Sequence, residues 1–522
     1  MSEPGSRGVV ACGDVQSADA GAQLLEQGGN AVDAVIAAAC AAFVCELPLC
    51  GPLGGAVISA WPAQGEPFCM DAFARAPGLS GARPAQLDFS DVEVDFGAAT
   101  QVFHIGRGAA AVPLALGGLL KLHASHGSLP LSAIVAPAVE LGRRGYRLGA
   151  GVAFANALLE PIFAHTAECY ALVCRDGKLA VAGEILHNAA LADTLEALGR
   201  DPGVLADLQR ALVDEFGVAR GGSLGAVDME RAQIQMQRPL RVRFGEFEMA
   251  TPPAPSMGGV LIALGARLLD AGQRCPALSD EDVLHLARVQ HTLLGQRSID
   301  FDQRIRDEDF VRSLLSPENV AALRQHVATP QPDNPLGSTT HLSVIDAAGL
   351  AVAVTLTNGE GCGYVLSGTG IIVNNLLGEE DIHPRGFHHD PPGSSLSTMM
   401  APTIVRQGQE CLALGSGGSN RLRNAILQVL HLTLGHGMPA QAAVQAPRIH
   451  VDRHAAGGAR IAYERAGMPA STEAALLGAF PKDPVAFDAL NMYFGGVHLA
   501  HAHLGVLGGA GDPRRGGCVR VV

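Results

Sequence analysis

The first stretch of the chain alternates between short apolar runs and helical patterns. Gly8–Cys12 reads as a strand, and a helical pattern follows through Leu24–Gln27, stopped by Gly28-Gly29. Asn30 then caps a second helix, with Asp33 in its first turn. That helix, Ala31–Cys45, is apolar nearly all round, which predicts a helix packed between other elements. A glycine-rich loop, Gly51–Ala56, precedes a strand at Val57–Trp61. Between Ala124 and Leu224 the pattern is mostly helical, with helices expected over Leu131–Gly145 and Ala190–Leu198. Pro137 is expected to kink the first of these or to mark its start.

The character changes after a polar, Pro-rich stretch, Thr329–Gly337, which has the composition of an exposed linker. Beyond it come β-rich runs at Thr340–Ile345 and Leu350–Thr357, then shorter ones at Gly370–Val373, Thr403–Val405 and Leu412–Leu414. A long helix is predicted over Asn420–Leu434, with Leu422, Ile426, Val429 and Leu430 on one stripe. The C-terminal third therefore reads as a sheet with helices packed outside it.

Composition narrows the function classes. With 522 residues, 48% hydrophobic and 17% charged, the chain can bury a large core, as two or three domains or as one α/β unit. A net charge of −14 and 4% aromatics argue against nucleic-acid and anionic-membrane partners. Ala31–Leu49 is interrupted by Asp33 and Glu46, so it predicts a buried helix and no membrane span. Eleven cysteines without a CxxC pair suggest reduced, buried thiols, Cys45 and Cys50 included. The opening MSEPGSRGVVACGDV lacks a basic segment followed by an apolar one, so a cytoplasmic location is expected.

The informative segment for chemistry is Ser338-Thr339-Thr340-His341, where the linker meets a strand. A threonine hydroxyl is a poor nucleophile alone. If the peptide bond before it is cut, the freed α-amine can serve as its base. A Thr-Thr pair at a strand start is also ordinary β propensity. The hairpin adds weight. Asp346–Gly349 suits a three-residue loop with Gly349 left-handed, which places Thr339 opposite Thr357 on one face. A second element, Gly415-Ser416-Gly417-Gly418-Ser419 before a helix, can offer backbone N–H groups to an oxyanion, or can be a plain helix-entry turn. No GK[ST] follows it, and no strand–GxGxxG unit stands elsewhere, so phosphate-loop and dinucleotide chemistry are not expected.

In sequence order the chain carries GGNAVDAVIAAA (Gly28–Ala39), PLGGA (Pro52–Ala56), PPAPSMGG (Pro252–Gly259), TTHLSVIDAAG from Thr339, MMAPTIV (Met399–Val405), GSGGSNR (Gly415–Arg421), QAPRIH (Gln445–His450) and GDPRRGG (Gly511–Gly517). Nearly end to end it resembles the γ-glutamyltranspeptidase family of N-terminal nucleophile hydrolases. The resemblance implies an α/β fold, a four-layer αββα sandwich, made from one precursor that cuts itself before Thr339. It thus implies a large segment, residues 1–338, and a small one, residues 339–522, interleaved in one fold. It assigns Thr339 as nucleophile, Thr357 as the second threonine, and Gly417 and Gly418 as the oxyanion pair. No cofactor and no metal are implied.

The resemblance also implies substrate contacts. Where the family has an arginine for a γ-glutamyl carboxylate, this chain has Phe73, and Arg75 two residues on would share a strand face with it and could take over. Glu379, after Asn374-Asn375, aligns with the family's acid for the substrate amine, and Asn358 aligns with its asparagine. Thr398-Met399 replace the usual Ser-Ser. The implied activity is γ-glutamyl (glutathione-like) amide cleavage through a threonyl ester, with water or an amine as acceptor. Phe73 and Met399 favour the alternative of another acyl amide, as in the family's acylase branch. A silent binding homologue is the alternative of another class, against which Thr339, Thr357 and the two glycines stand. Partners implied are a small-molecule amide, the two fragments of the precursor, and a homo-oligomer left open.

Histidines tempt a metal reading at His498/His501/His503 and at His383/His388/His389 with Asp390, but satisfied or surface histidines are the simpler expectation. His341 is expected to pack or orient and not to act as general base. Acidic stretches such as Asp280–Asp282 read as solvated helix faces.

Overall fold

The computed structural model describes residues 5–95, 100–270, 275–324, 339–454 and 457–522. The linker Thr329–Gly337, Ser338 and the first four residues therefore lie outside the described residues.

Two antiparallel sheets form the centre. The first holds seven strands in the order Gln235–Gln237, Phe68–Ala72, Gly55–Trp61, Ala351–Thr357, Thr340–Asp346, Gly8–Cys12 and Cys518–Val521. The second holds six, in the order Leu240–Phe244, Phe247–Thr251, Thr403–Gln407, Glu410–Gly417, Gly496–His503 and Val506–Ala510. Each sheet mixes strands from before and after residue 338, so the two segments make one interleaved body.

Alternation along the strands sets the layers. Leu342, Val344, Val352, Val354 and Leu356 belong to a core shared with the helices Ala31–Cys45, Leu131–Arg144 and Ala189–Arg200. Their odd-numbered neighbours Ile345, Ala351 and Ala353 meet Ile404, Ala413 and Ala500 of the second sheet. The outer face of the second sheet is covered by Met257–Asp270 and Leu422–Leu430, with Asp280–Gln296 packed against the first of them. This is the expected αββα sandwich.

Local signals explain the elements. Asn30 accepts from the amides of Val32 and Asp33 while Asp33 accepts from Asn30 N, a reciprocal cap. The Ala31–Cys45 helix is buried along its whole length, because it lies between the first sheet and the Leu131–Arg144 helix. Gly28 has φ +89°, which lets the preceding helix stop there. The Leu131–Arg144 helix continues through Pro137, which neither begins nor ends it. The helix predicted from Asn420 to Leu434 divides: a short 3-10 turn at Ser419–Arg421, an α-helix at Leu422–Leu430, and a π-helical segment at His431–Gly435. Among the acidic residues expected to face solvent, Asp282 is instead buried, 2% exposed.

Candidate active site

Thr339 is buried at the head of the strand Thr340–Asp346. That strand pairs with Ala351–Thr357 in the register Thr340–Leu356 through Ile345–Ala351. One further step sets Thr339 opposite Thr357. Gly349, at φ +83°, closes the three-residue turn, and Asp346 N reaches Leu350 O at 3.1 Å. By the alternation described above, Thr339 and Thr357 face the second sheet, whereas Thr340 faces the helical layer.

On the second sheet, the strand Glu410–Gly417 ends directly against Thr339. A Cβ at Gly417 would collide with the Thr339 carbonyl oxygen, so only glycine fits there. Gly418 follows at φ +120° and turns the chain from strand into helix. The Thr339 carbonyl also accepts from Arg515 Nη1 at 3.2 Å. Thr357 Oγ1 accepts from Gly359 N at 3.0 Å, which fixes the second hydroxyl.

A small pocket opens onto this pair. It is lined by Phe73, Thr339, Thr357, Glu379, Asp381, Ile382, Thr398, Met399, Met400, Ser419 and Leu422. Its free volume is about 20 Å³, on the scale of one water molecule. Asp381 also borders a wider cleft of about 570 Å³ that includes Arg297, Phe301, Phe387 and Arg453.

Of the substrate contacts implied by the sequence, Phe73, Glu379, Thr398 and Met399 are brought together here. Glu379 is half-buried, and its Oε1 is enclosed with no hydrogen-bond partner. Burial, with Glu360 and Asp381 nearby, pushes its carboxyl well above the usual range. Arg75 is not part of the pocket. The strand breaks at Phe73, between Phe68–Ala72 and Ala74–Arg75, so regular alternation does not carry across it, and Phe73 lines the pocket where Arg75 does not. Arg75 instead pairs with Asp71 at 3.1 Å and donates to Ala74 O and Gln233 O. It therefore does not take over from the missing arginine. Asn358 is turned toward the Gly51–Gly54 loop: its Nδ2 donates to Ile372 O, and a Cβ at Gly54 would lie 3.0 Å from its Oδ1.

Sequence reasoning missed Asp381, Ser419, Arg515 and Glu46. Asp381 accepts from the Ser419 hydroxyl and from Asn420 Nδ2 at 2.8 Å, tying the acidic loop to the glycine turn. Glu46, noted in the sequence only as a break in an apolar run, caps the end of the buried helix. It accepts from Thr340 Oγ1 at 2.6 Å and Ser17 Oγ at 2.9 Å. Burial and the nearby Asp14 raise its pKa to about 7, against the hydrogen bonds from Thr340 and Ser17 and the charge of Arg515. His341 sits in the sheet interior between Thr355 Oγ1 and Ser343 Oγ, each at 2.8 Å, and burial keeps its pKa well below the usual value. That is the orienting place expected of it.

Residues 17–522 match the sequence model of the Gamma-glutamyltranspeptidase family. The chain belongs to the gamma-glutamyltranspeptidase family. Among curated proteins it is 30% identical over 468 residues to an acylase ACY 1 proenzyme of a Pseudomonas species, covering 85% of this chain and 82% of that one. It is 27% identical over 483 residues to a glutathione hydrolase proenzyme of Pseudomonas aeruginosa, covering 85% and 82%. Among solved structures, a cephalosporin acylase from Bacillus halodurans superposes with a TM-score of 0.81 at 22% identity, over 99% of this chain and 96% of that one. That likeness shows that the two chains share one fold. As a gamma-glutamyltranspeptidase family member, this protein is an enzyme.

Proposed function

We propose that the chain is a precursor that cuts itself before Thr339 and then transfers acyl groups from amides through Thr339. In maturation the Thr339 hydroxyl attacks the Ser338 carbonyl carbon and the Ser338–Thr339 C–N bond breaks. The Thr339 nitrogen takes the proton, and water then hydrolyses the resulting ester to free Ser338 as a carboxylate. In the mature enzyme the Thr339 amine accepts the Oγ proton as Oγ attacks the substrate carbonyl. The backbone amides of Gly417 and Gly418 receive the oxyanion, the protonated leaving amine departs, and water or a second amine takes the acyl group. The single observation that carries this reading is the convergence of Thr339, Thr357 and Gly417 from the ends of three different strands in the two sheets.

The acyl group is the finer question. Family membership makes a γ-glutamyl amide the first substrate class to test. The lining favours an acyl group without an α-carboxylate. Among the described residues that line the pocket there are two acids and no arginine, lysine or histidine, and Phe73 occupies the arginine's place, while the nearby Arg515 is engaged by the Thr339 carbonyl. Exchanging a bidentate guanidinium for a ring removes the strongest carboxylate contact. Glu379, which lines the pocket with Thr357, suits an amine on the acyl group. Release of a γ-glutamyl anilide compared with simple acyl and aminoacyl anilides tests this: higher kcat/KM for the latter supports the acylase reading, and preference for the γ-glutamyl compound overturns it. A cytoplasmic location belongs to the same proposal, supported by eleven cysteines that form no disulfide.

A further inference from the structure

Far from Thr339, three side chains converge where the helix Asp280–Gln296 begins and the helix Leu422–Leu430 ends. His431 Nε2 lies 2.7 Å and His436 Nε2 lies 3.1 Å from the same oxygen, Asp282 Oδ1, and the two ring nitrogens are 3.1 Å apart. Asp282 and His431 are buried, and His436 is mostly so. Two imidazole nitrogens and a carboxylate oxygen thus share one small volume.

The backbone brings this about. Histidines five residues apart point in widely different directions on an α-helix, but a π-helix, whose hydrogen bonds run from i to i+5, brings them toward the same side; here the two rings meet edge to face. The His431–Gly435 segment is π-helical, and it turns His436 back onto His431. Such segments cost helix regularity and recur at functional sites. Asp282 is held in turn. Its Oδ2 accepts from Leu278 N at 2.9 Å, so Oδ1 is left to face the histidines. Burial pushes the Asp282 carboxyl upward, but His431, the Leu278 amide and His436 outweigh it, and the group lies below the usual carboxylate range. Cys275 Sγ stands 3.9 Å from the same Oδ1.

We infer that Asp282, His431 and His436 form a binding site for a borderline divalent cation of the zinc type. Imidazole nitrogen and carboxylate oxygen are its usual donors, at about 2.0–2.2 Å. A tetrahedral ion at such distances separates its ligands by roughly 3.3 Å, so the present triangle opens by a few tenths of an ångström to admit one. The His431 and His436 Nε2 atoms bind as lone-pair donors and Asp282 as the anion. Water or the Cys275 sulfur completes the shell. The ion would clamp the start of one helix to the end of the helix whose N-terminal side carries the Gly417-Gly418 turn. Its role is structural, since the site shares no residue with the Thr339 pocket.

Zinc chloride added to the chelator-treated, desalted, mature protein tests the site. The expected result is about one zinc per chain after gel filtration and a Tm raised by several degrees. His431→Gln and His436→Gln should each lose the bound zinc and the Tm shift, whereas His501→Gln, in the separate histidine strand, should keep both. Wild-type protein with no bound zinc and no Tm shift overturns the proposal. So does zinc retained at wild-type stoichiometry in both variants, which would place the ion on thiols elsewhere. The wild-type titration decides even where a variant fails to fold.

Discussion

Thr340 Oγ1 donates a 2.6 Å hydrogen bond to Glu46 Oε2, fastening the residue behind Thr339 to the end of the buried Ala31–Cys45 helix. The proposed nucleophile is therefore set from both sides: Thr339 faces the second sheet and Gly417, and Thr340 faces the helical layer and Glu46.

Glu46 should make stability depend on pH. Its usual pKa of 4.5 is raised to about 7 in the folded chain. Between those values the folded protein keeps a proton that the unfolded chain has released, so stability falls as pH rises through this window. The contribution is about 3 kcal/mol. Denaturant titrations from pH 4.5 to 8 should show this fall in the wild type and a flatter profile in Glu46→Gln. Equal slopes would show that Glu46 is not the group responsible.

Thr340→Val should cost about 1–3 kcal/mol, because it leaves a buried carboxylate oxygen unsatisfied. Denaturant midpoints measured at pH 8 check it, and an unchanged midpoint would mean that the Glu46 contact contributes nothing.

Gly417→Ala should yield chain that remains uncut before Thr339, with amide turnover at least ~10²-fold lower, because the added methyl displaces the Thr339 carbonyl. A gel of the purified variant and one initial-rate assay are enough. Normal cutting and normal turnover would place Gly417 outside the reacting centre.

Arg75→Met should lower stability by about 3–5 kcal/mol, the cost of leaving buried Asp71 unpaired. It should not selectively raise KM for carboxylate-bearing substrates. Phe73→Arg should do the reverse, shifting kcat/KM toward γ-glutamyl anilides by about tenfold or more if the new guanidinium reaches the pocket. A selective KM change in Arg75→Met would restore Arg75 to the substrate site.

Much of this architecture was legible before any coordinates. The hairpin register was read from one turn, Asp346–Gly349: a three-residue loop with a left-handed glycine pairs Asp346 with Leu350 and puts Thr339 opposite Thr357, a register open to a one-residue slip until the observed pairing agreed with it. The Asn30 cap and the buried helix after it followed from residue type and an unbroken apolar run. What failed was side-chain direction near irregular backbone. Arg75 was expected on the face of Phe73, but the strand breaks at Phe73 and the period-two rule lapses there. Asp282 was expected in solvent because charge runs generally are. Its burial depends on His431 and His436, some 150 positions away and joined only by a π-helical turn that no local pattern announces. Glu46 looked like an interruption, because its partners Ser17 and Thr340 come from two distant strands of sequence.

The most direct test is N-terminal sequencing and intact mass of the purified protein's fragments, beside the Thr339→Ala variant. The account predicts two fragments, the smaller beginning at Thr339, and a single uncut chain for the variant with turnover at least ~10³-fold lower. A wild-type chain that stays whole on prolonged incubation yet turns over amides, or a cut at any other bond, would contradict it.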